Sequence, residues 1–217
     1  MRDHGDLEEA VVVLKEAVDI RRKVLGPDHL HVQVVNYDLA ETRRGLGQLA
    51  EAGRLMDEVL AGYYASLDST HWVVGQALGE LAKLKLELDL PGEALVAARQ
   101  GRQNVVGKYG EDSPKVLPFD AVLIAALGRN GDLAGADAHL AMISSRLGDL
   151  DKRKRALAEV YIGRYETLAG RFEEAKATLY SAHSALLGLH GKDHFETIRA
   201  AEALEALFLK WPAGRRD

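Results

Sequence analysis

Gly47-Gln-Leu-Ala-Glu-Ala52-Gly-Arg-Leu-Met56-Asp-Glu-Val59 decides how this chain folds, because it recurs. Upstream stands Gly5-Asp-Leu-Glu-Glu-Ala10, followed by Leu14 and Ala17. Downstream stand Asp89-Leu-Pro-Gly-Glu-Ala94, Gly131-Asp-Leu-Ala-Gly-Ala136 and Gly170-Arg-Phe-Glu-Glu-Ala175. The alanines at 10, 52, 94 and 136 are 42 residues apart, and Ala175 follows after 39. A period of this size is the mark of a repeat array. A second landmark keeps step 13 residues before each later alanine, at Leu39, Leu81, Leu123 and Ile162, and Leu204 continues it. A third is a loop, read as Gly26-Pro-Asp-His29, Asp68-Ser-Thr-His71, Gly110-Glu-Asp-Ser113 and Gly191-Lys-Asp-His194. Alanine-to-loop spacing is 16 residues except from Ala136 to Asp149, where it is 13, so the deletion lies in or just after that helix.

Each landmark has a physical reason. Glycine ends a helix by supplying a positive φ. A small residue lets antiparallel helices approach, and large apolar residues three to seven positions on form the buried stripe. The loop's Asp, Ser or Thr is expected to cap the next helix. Helices are therefore expected at roughly 6–24, 29–46, 49–66, 70–88, 91–108, 113–129, 132–147, 151–169, 172–189 and 194–210. Pro118 should bend the sixth or make it start late. The sequence reads as one array over 1–211, with about four full repeats and a half-repeat at each end, then a mobile tail over 212–217.

Composition narrows the function. With 217 residues, 47% apolar and 28% charged, the chain is an ordinary globular one with ample core. It has no cysteine, so disulfides, thiolate metal sites and thiol catalysis are excluded. A net charge of -5 argues against nucleic-acid binding. No apolar run reaches the roughly 18 residues of a membrane span, and no secretory leader is visible. A cytoplasmic location is the expectation.

The spacing of small and large residues resembles the tetratricopeptide motif: Ala-x3-Leu or Ala-x3-Met matches its second helix, and Gly47, Gly131 and Gly170 its turn glycine. The long step and Leu25-Gly-Pro-Asp-His29 resemble the kinesin-light-chain-like branch, also common in bacterial multidomain signalling proteins. The resemblance implies an all-α fold, a right-handed superhelical solenoid of antiparallel helix hairpins with about ten helices. It implies a non-catalytic scaffold that binds a peptide or partner helix in a concave groove, with no cofactor. It also allows a second role, as the C-terminal sensing or docking region of a longer bacterial Ser/Thr kinase or other signalling protein. This sequence departs from the family at Arg43, Lys85, Leu127 and Glu166, where an aromatic is usual, and at Tyr37-Asp38, where an Asn pair often stands. The carboxylate clamp of co-chaperones is not reproduced.

By the family's geometry the inward residues include Tyr37, Glu41 and Arg44, then Glu80 and Lys83, then Ala125, then Tyr161 and Arg164. The face turns from mixed charge to apolar with Tyr and Arg, residue types enriched in binding hot spots. Other motifs have plainer readings. His190-x3-His194 spans the recurring loop, so a turn explains it better than a metal. Gly45-x-Gly47 follows a helix rather than a strand, so it is no dinucleotide loop. Lys152-Arg-Lys-Arg155 reads as a solvated face. Glu8-Glu9 and Glu173-Glu174 share one repeat position at a helix start, where the dipole favours acids. No catalytic set is visible. The chain opens on the second helix of a repeat, and the stripe Leu7, Ala10, Leu14 and Ala17 is expected to lie exposed, offering a route to a homodimer through that helix.

Overall fold

The computed structural model describes residues 4–212. Among them there are ten α-helices and no strand. The chain divides between Glu111 and Asp112 into two compact units. The first holds α1 (His4–Leu25), α2 (Leu30–Gly45), α3 (Leu49–Ser66), α4 (Trp72–Glu87) and α5 (Pro91–Tyr109). The second holds α6 (Leu117–Arg129), α7 (Leu133–Ile143), a 3-10 turn (Ser144–Asp149), α8 (Lys152–Leu168), α9 (Phe172–His190) and α10 (Phe195–Lys210).

Apart from α7, which packs on α6, helices in each unit pack on their chain neighbours, and the helices of the Leu39 series also pack on one another: α2 on α4, α6 on α8, and α8 on α10. Small residues make this possible. Gly75 and Gly101 bring α4 and α5 so close that a Cβ on Gly101 would lie 2.9 Å from the Gly75 carbonyl oxygen. The anchors Ala52, Ala94, Ala136 and Ala175 are all buried. In the second unit Leu179, Leu186, Leu204 and Leu207 form the core, and Trp211 closes it, stacked between Phe172 and Phe208.

The deletion and the proline act as their chemistry requires. Helix α7 spans only 11 residues before the 3-10 turn. Helix α6 starts late, at Leu117, so Pro118 falls in its first turn, where its missing N–H breaks no bond.

Three sequence readings need correction or fall outside the description. The loops are capped mainly by histidine: Nδ1 of His29, His71 and His194 accepts from the backbone N–H two residues on, at 3.1, 3.3 and 3.3 Å. Asp68 instead turns back to Thr70, which lowers its pKa through those hydrogen bonds. The stripe on α1 is not exposed. Leu7 is buried, and Leu14 and Ala17 pack with Val18 against Val32 and Val35 of α2. A helix at this repeat position has two apolar sides, and α2 takes this one. The proposed mobile tail lies outside the described residues apart from Pro212.

Candidate functional site

Tyr37, Glu41 and Arg44 stand four and three residues apart on α2, hence on one helical face. Glu80, Lys83 and Glu87 do the same on α4. Because α2 and α4 pack together, the two rows meet. Arg44 reaches across to both ends of the α4 row, 3.6 Å from Glu80 and 2.7 Å from Glu87. Lys83 pairs with Glu80 from its own helix. Glu80 is only 7% exposed. All five residues assigned to this face from the sequence are therefore in one cluster.

Electrostatics follow from crowding. Burial first, and then the Glu80 carboxylate, push the Glu41 carboxyl up to about 7, against Lys83 and Arg44, which pull it down. Burial, Glu80 and Glu41 hold the Tyr37 hydroxyl well above its usual range. Glu41, Glu80 and Glu87, with Asp38 beside them, outnumber the two cations Arg44 and Lys83, so a proton on Glu41 reduces an excess of negative charge. A face of this kind exchanges a proton near neutral pH or accepts a cationic group.

In the second unit the assigned residues lie differently. Ala125 on α6 is 5% exposed and contributes almost no surface. Tyr161 and Arg164 on α8 are half-buried, and Arg164 donates to the Arg199 carbonyl of α10 at 3.4 Å.

Two family departures prove to be one device. Arg43 pairs with Glu51 at 3.0 Å and Lys85 with Glu93 at 2.7 Å, both spaced eight residues, so each ion pair joins one helix to the next. The basic run is also engaged: Arg153 with Glu196, Lys154 with Asp151 at 2.8 Å, Arg155 with Glu159 at 2.8 Å.

Among the described residues, His190, His194 and Glu196 form a group that could hold a metal, with ligand atoms within 4.8 Å of one another. Their present bonds oppose it. His194 Nδ1 is used in the cap, Arg153 binds both oxygens of Glu196, and the imidazoles are stacked at 4.3 Å. A ligating imidazole needs the ion near its ring plane, and Arg153 puts positive charge beside the carboxylate.

A stack of antiparallel helix hairpins with small residues at the crossings defines a helical-repeat protein. Residues 1–31 match the family described as tetratricopeptide repeat. The fold is that of tetratricopeptide-like repeats, as in two crystal structures described as Podosopora anserina kinesin light chain nearly identical TPR-like repeats. One, a single-substitution variant, is 23% identical with a TM-score of 0.63, covering 85% of this chain and 89% of that one. The other is 23% identical with a TM-score of 0.62, covering 86% and 90%. No curated protein matches the chain in sequence. Repeats of this type generally mediate protein–protein interaction and are typically non-catalytic. No helix among the described residues is long and apolar enough to cross a membrane.

Proposed function

We propose that the chain is a non-catalytic interaction scaffold that holds a peptide or helix of a protein partner on the α2/α4 face. The meeting of Tyr37, Glu41 and Arg44 with Glu80 and Lys83 carries this reading. Buried charges are costly unless paired, and a fold that needed only packing would place apolar residues here. Helix-borne side chains are also better fixed than loop-borne ones, which suits a binding face.

The test starts without a known partner. A random peptide library is selected on the purified chain, and the selected peptides are measured by fluorescence anisotropy. Tyr37→Ala combined with Glu41→Ala should weaken binding at least tenfold while circular dichroism stays helical. Unchanged affinity in the folded variant would remove binding from this face.

A further inference from the structure

The exposed apolar surface of α1, Val13, Ile20 and Val24, lies next to the side α2 covers, with half-buried Ala10 and Ala17 on the border between the two. Comparison with the equivalent helices α3 and α5 shows what that side is for. Ala10, Val13, Ala17 and Ile20 of α1 correspond to Ala52, Leu55, Val59 and Gly62 of α3, and to Ala94, Ala97, Gly101 and Asn104 of α5, each set 42 residues on. Every residue of the α3 and α5 sets is buried, because the preceding helix of the hairpin lies on it. In α1 Val13 is 64% and Ile20 55% exposed, and Val24 beside them is exposed too. This side is built to be covered by a helix.

Two helices of a second copy could do so, and side-chain size separates them. Helix α10 is the unit's last helix of the Leu39 series, so it would approach as α2 approaches α3. In that geometry Gln33 faces Gly62, and a Cβ on Gly62 would lie 2.5 Å from the Gln33 side chain. In the α4–α5 pair the glycine is on the other partner, Gly75 against Asn104. One glycine is present in each case. The corresponding pair from α10 and α1 would be Ile198 against Ile20, two β-branched side chains with no room for either.

We propose that this side of α1 pairs with α1 of a second copy, antiparallel and centred on Ala17. Centred there, Val13 of one copy meets Ile20 of the other, Ala10 meets Val24, and the small Ala17 side chains face each other where the helices cross. Charge selects the antiparallel sense. The rim beside the stripe carries exposed Glu9 in its N-terminal half and exposed Lys23 in its C-terminal half. Antiparallel pairing sets Glu9 beside Lys23 of the second copy twice over, whereas a parallel pair would align like charges. The helix dipoles oppose as well.

Light scattering on the purified chain at tens of micromolar should give twice the chain mass. Val13→Glu with Ile20→Glu, both on exposed positions that leave the α1–α2 contact intact, should give the single mass. Glu9→Lys and Lys23→Glu should each weaken the dimer at least tenfold, and the double exchange should restore it. The chain has no cysteine. Ala17→Cys under mild oxidation should therefore yield a disulfide dimer, and Lys15→Cys, on the far side of the helix, should not. A monomer at this concentration, a dimer indifferent to Val13 and Ile20, or equal cross-linking at both positions would overturn the proposal.

Discussion

Glu80 on α4 and Val122 on α6 occupy the same position, 42 residues apart, in different units. Both are buried, at 7% and 2% exposed. Around Glu80 stand Arg44, Lys83 and Glu41, while the residues following Val122 on its helix are Leu123, Ile124, Ala125 and Ala126, all buried. The landmarks that set the fold, such as Leu39 and Leu123, are alike in the two units. The hairpin packing is thus specified by one set of positions, and the face between them is free to be charged or apolar. A binding preference can be changed on such a scaffold without touching what folds it.

The largest effect is expected where a carboxylate is moved to the apolar side. Val122→Glu buries a charge with no cation assigned to it and should cost about 3–5 kcal/mol in urea unfolding, or force the group to stay protonated. Glu80→Val, the reverse exchange, should cost less, about 1–2 kcal/mol, because Arg44 keeps Glu87. A loss below about 1 kcal/mol for Val122→Glu would mean that the apolar position is open to water.

The pH dependence should have opposite signs around Glu41 and around His194. Glu41 is raised to about 7 in the folded chain, so the folded state holds its proton more tightly than the unfolded one. Its contribution is complete below the ordinary glutamate pKa near 4.3 and is lost as pH rises through about 7. Allowing for residual exposure, this is on the order of 2 kcal/mol. His194 is lowered, chiefly by burial, and its neutral Nδ1 is the cap acceptor. Its contribution is present above the ordinary histidine pKa of about 6.5 and is lost as pH falls below it. Hydrogen exchange resolved by helix should show α2 and α4 loosening from pH 5 to 8 and the start of α10 loosening from pH 7 to 5. Glu41→Gln should flatten the first trend and leave the second. Parallel trends on α2 and at the start of α10 would contradict these assignments.

The repeat made most of the fold legible. Glycine, alanine and leucine at fixed spacing report helix ends and crossings because steric limits there admit few residues. The Glu41–Glu80 face was legible for the same reason: once helix phase is known, which residues share a side follows. What the sequence hides is depth. Ala125 and Tyr161 both belong to inward rows, yet one is buried and the other half-exposed, since that depends on the neighbouring helix. Histidine caps were missed because capping preference favours Asp, Ser and Thr, and only the recurrence of His29, His71 and His194 at the loop end could have flagged them. The two apolar sides of α1 could not be ranked without knowing which one α2 occupies.

The smallest effect lies at the joint that follows the charged helix. Helices α2 and α6 end on Gly47 and Gly131 at φ 73° and 83°, but α4 ends on Asp89 at φ 58°, the only positive φ at a non-glycine residue among the described residues. Asp tolerates this region better than most residues, yet its Cβ still crowds the following carbonyl. Asp89→Gly should raise stability by up to about 1 kcal/mol. Gly131→Ala should lower it by a similar or larger amount, although nothing lies within 4 Å of the added Cβ, so the loss would be conformational alone. Urea midpoints of the two variants decide the matter. A loss for Asp89→Gly would show that the aspartate side chain contributes more to the α4–α5 joint than its backbone conformation costs, and the charged unit would then differ from the apolar one at its joint as well as on its face.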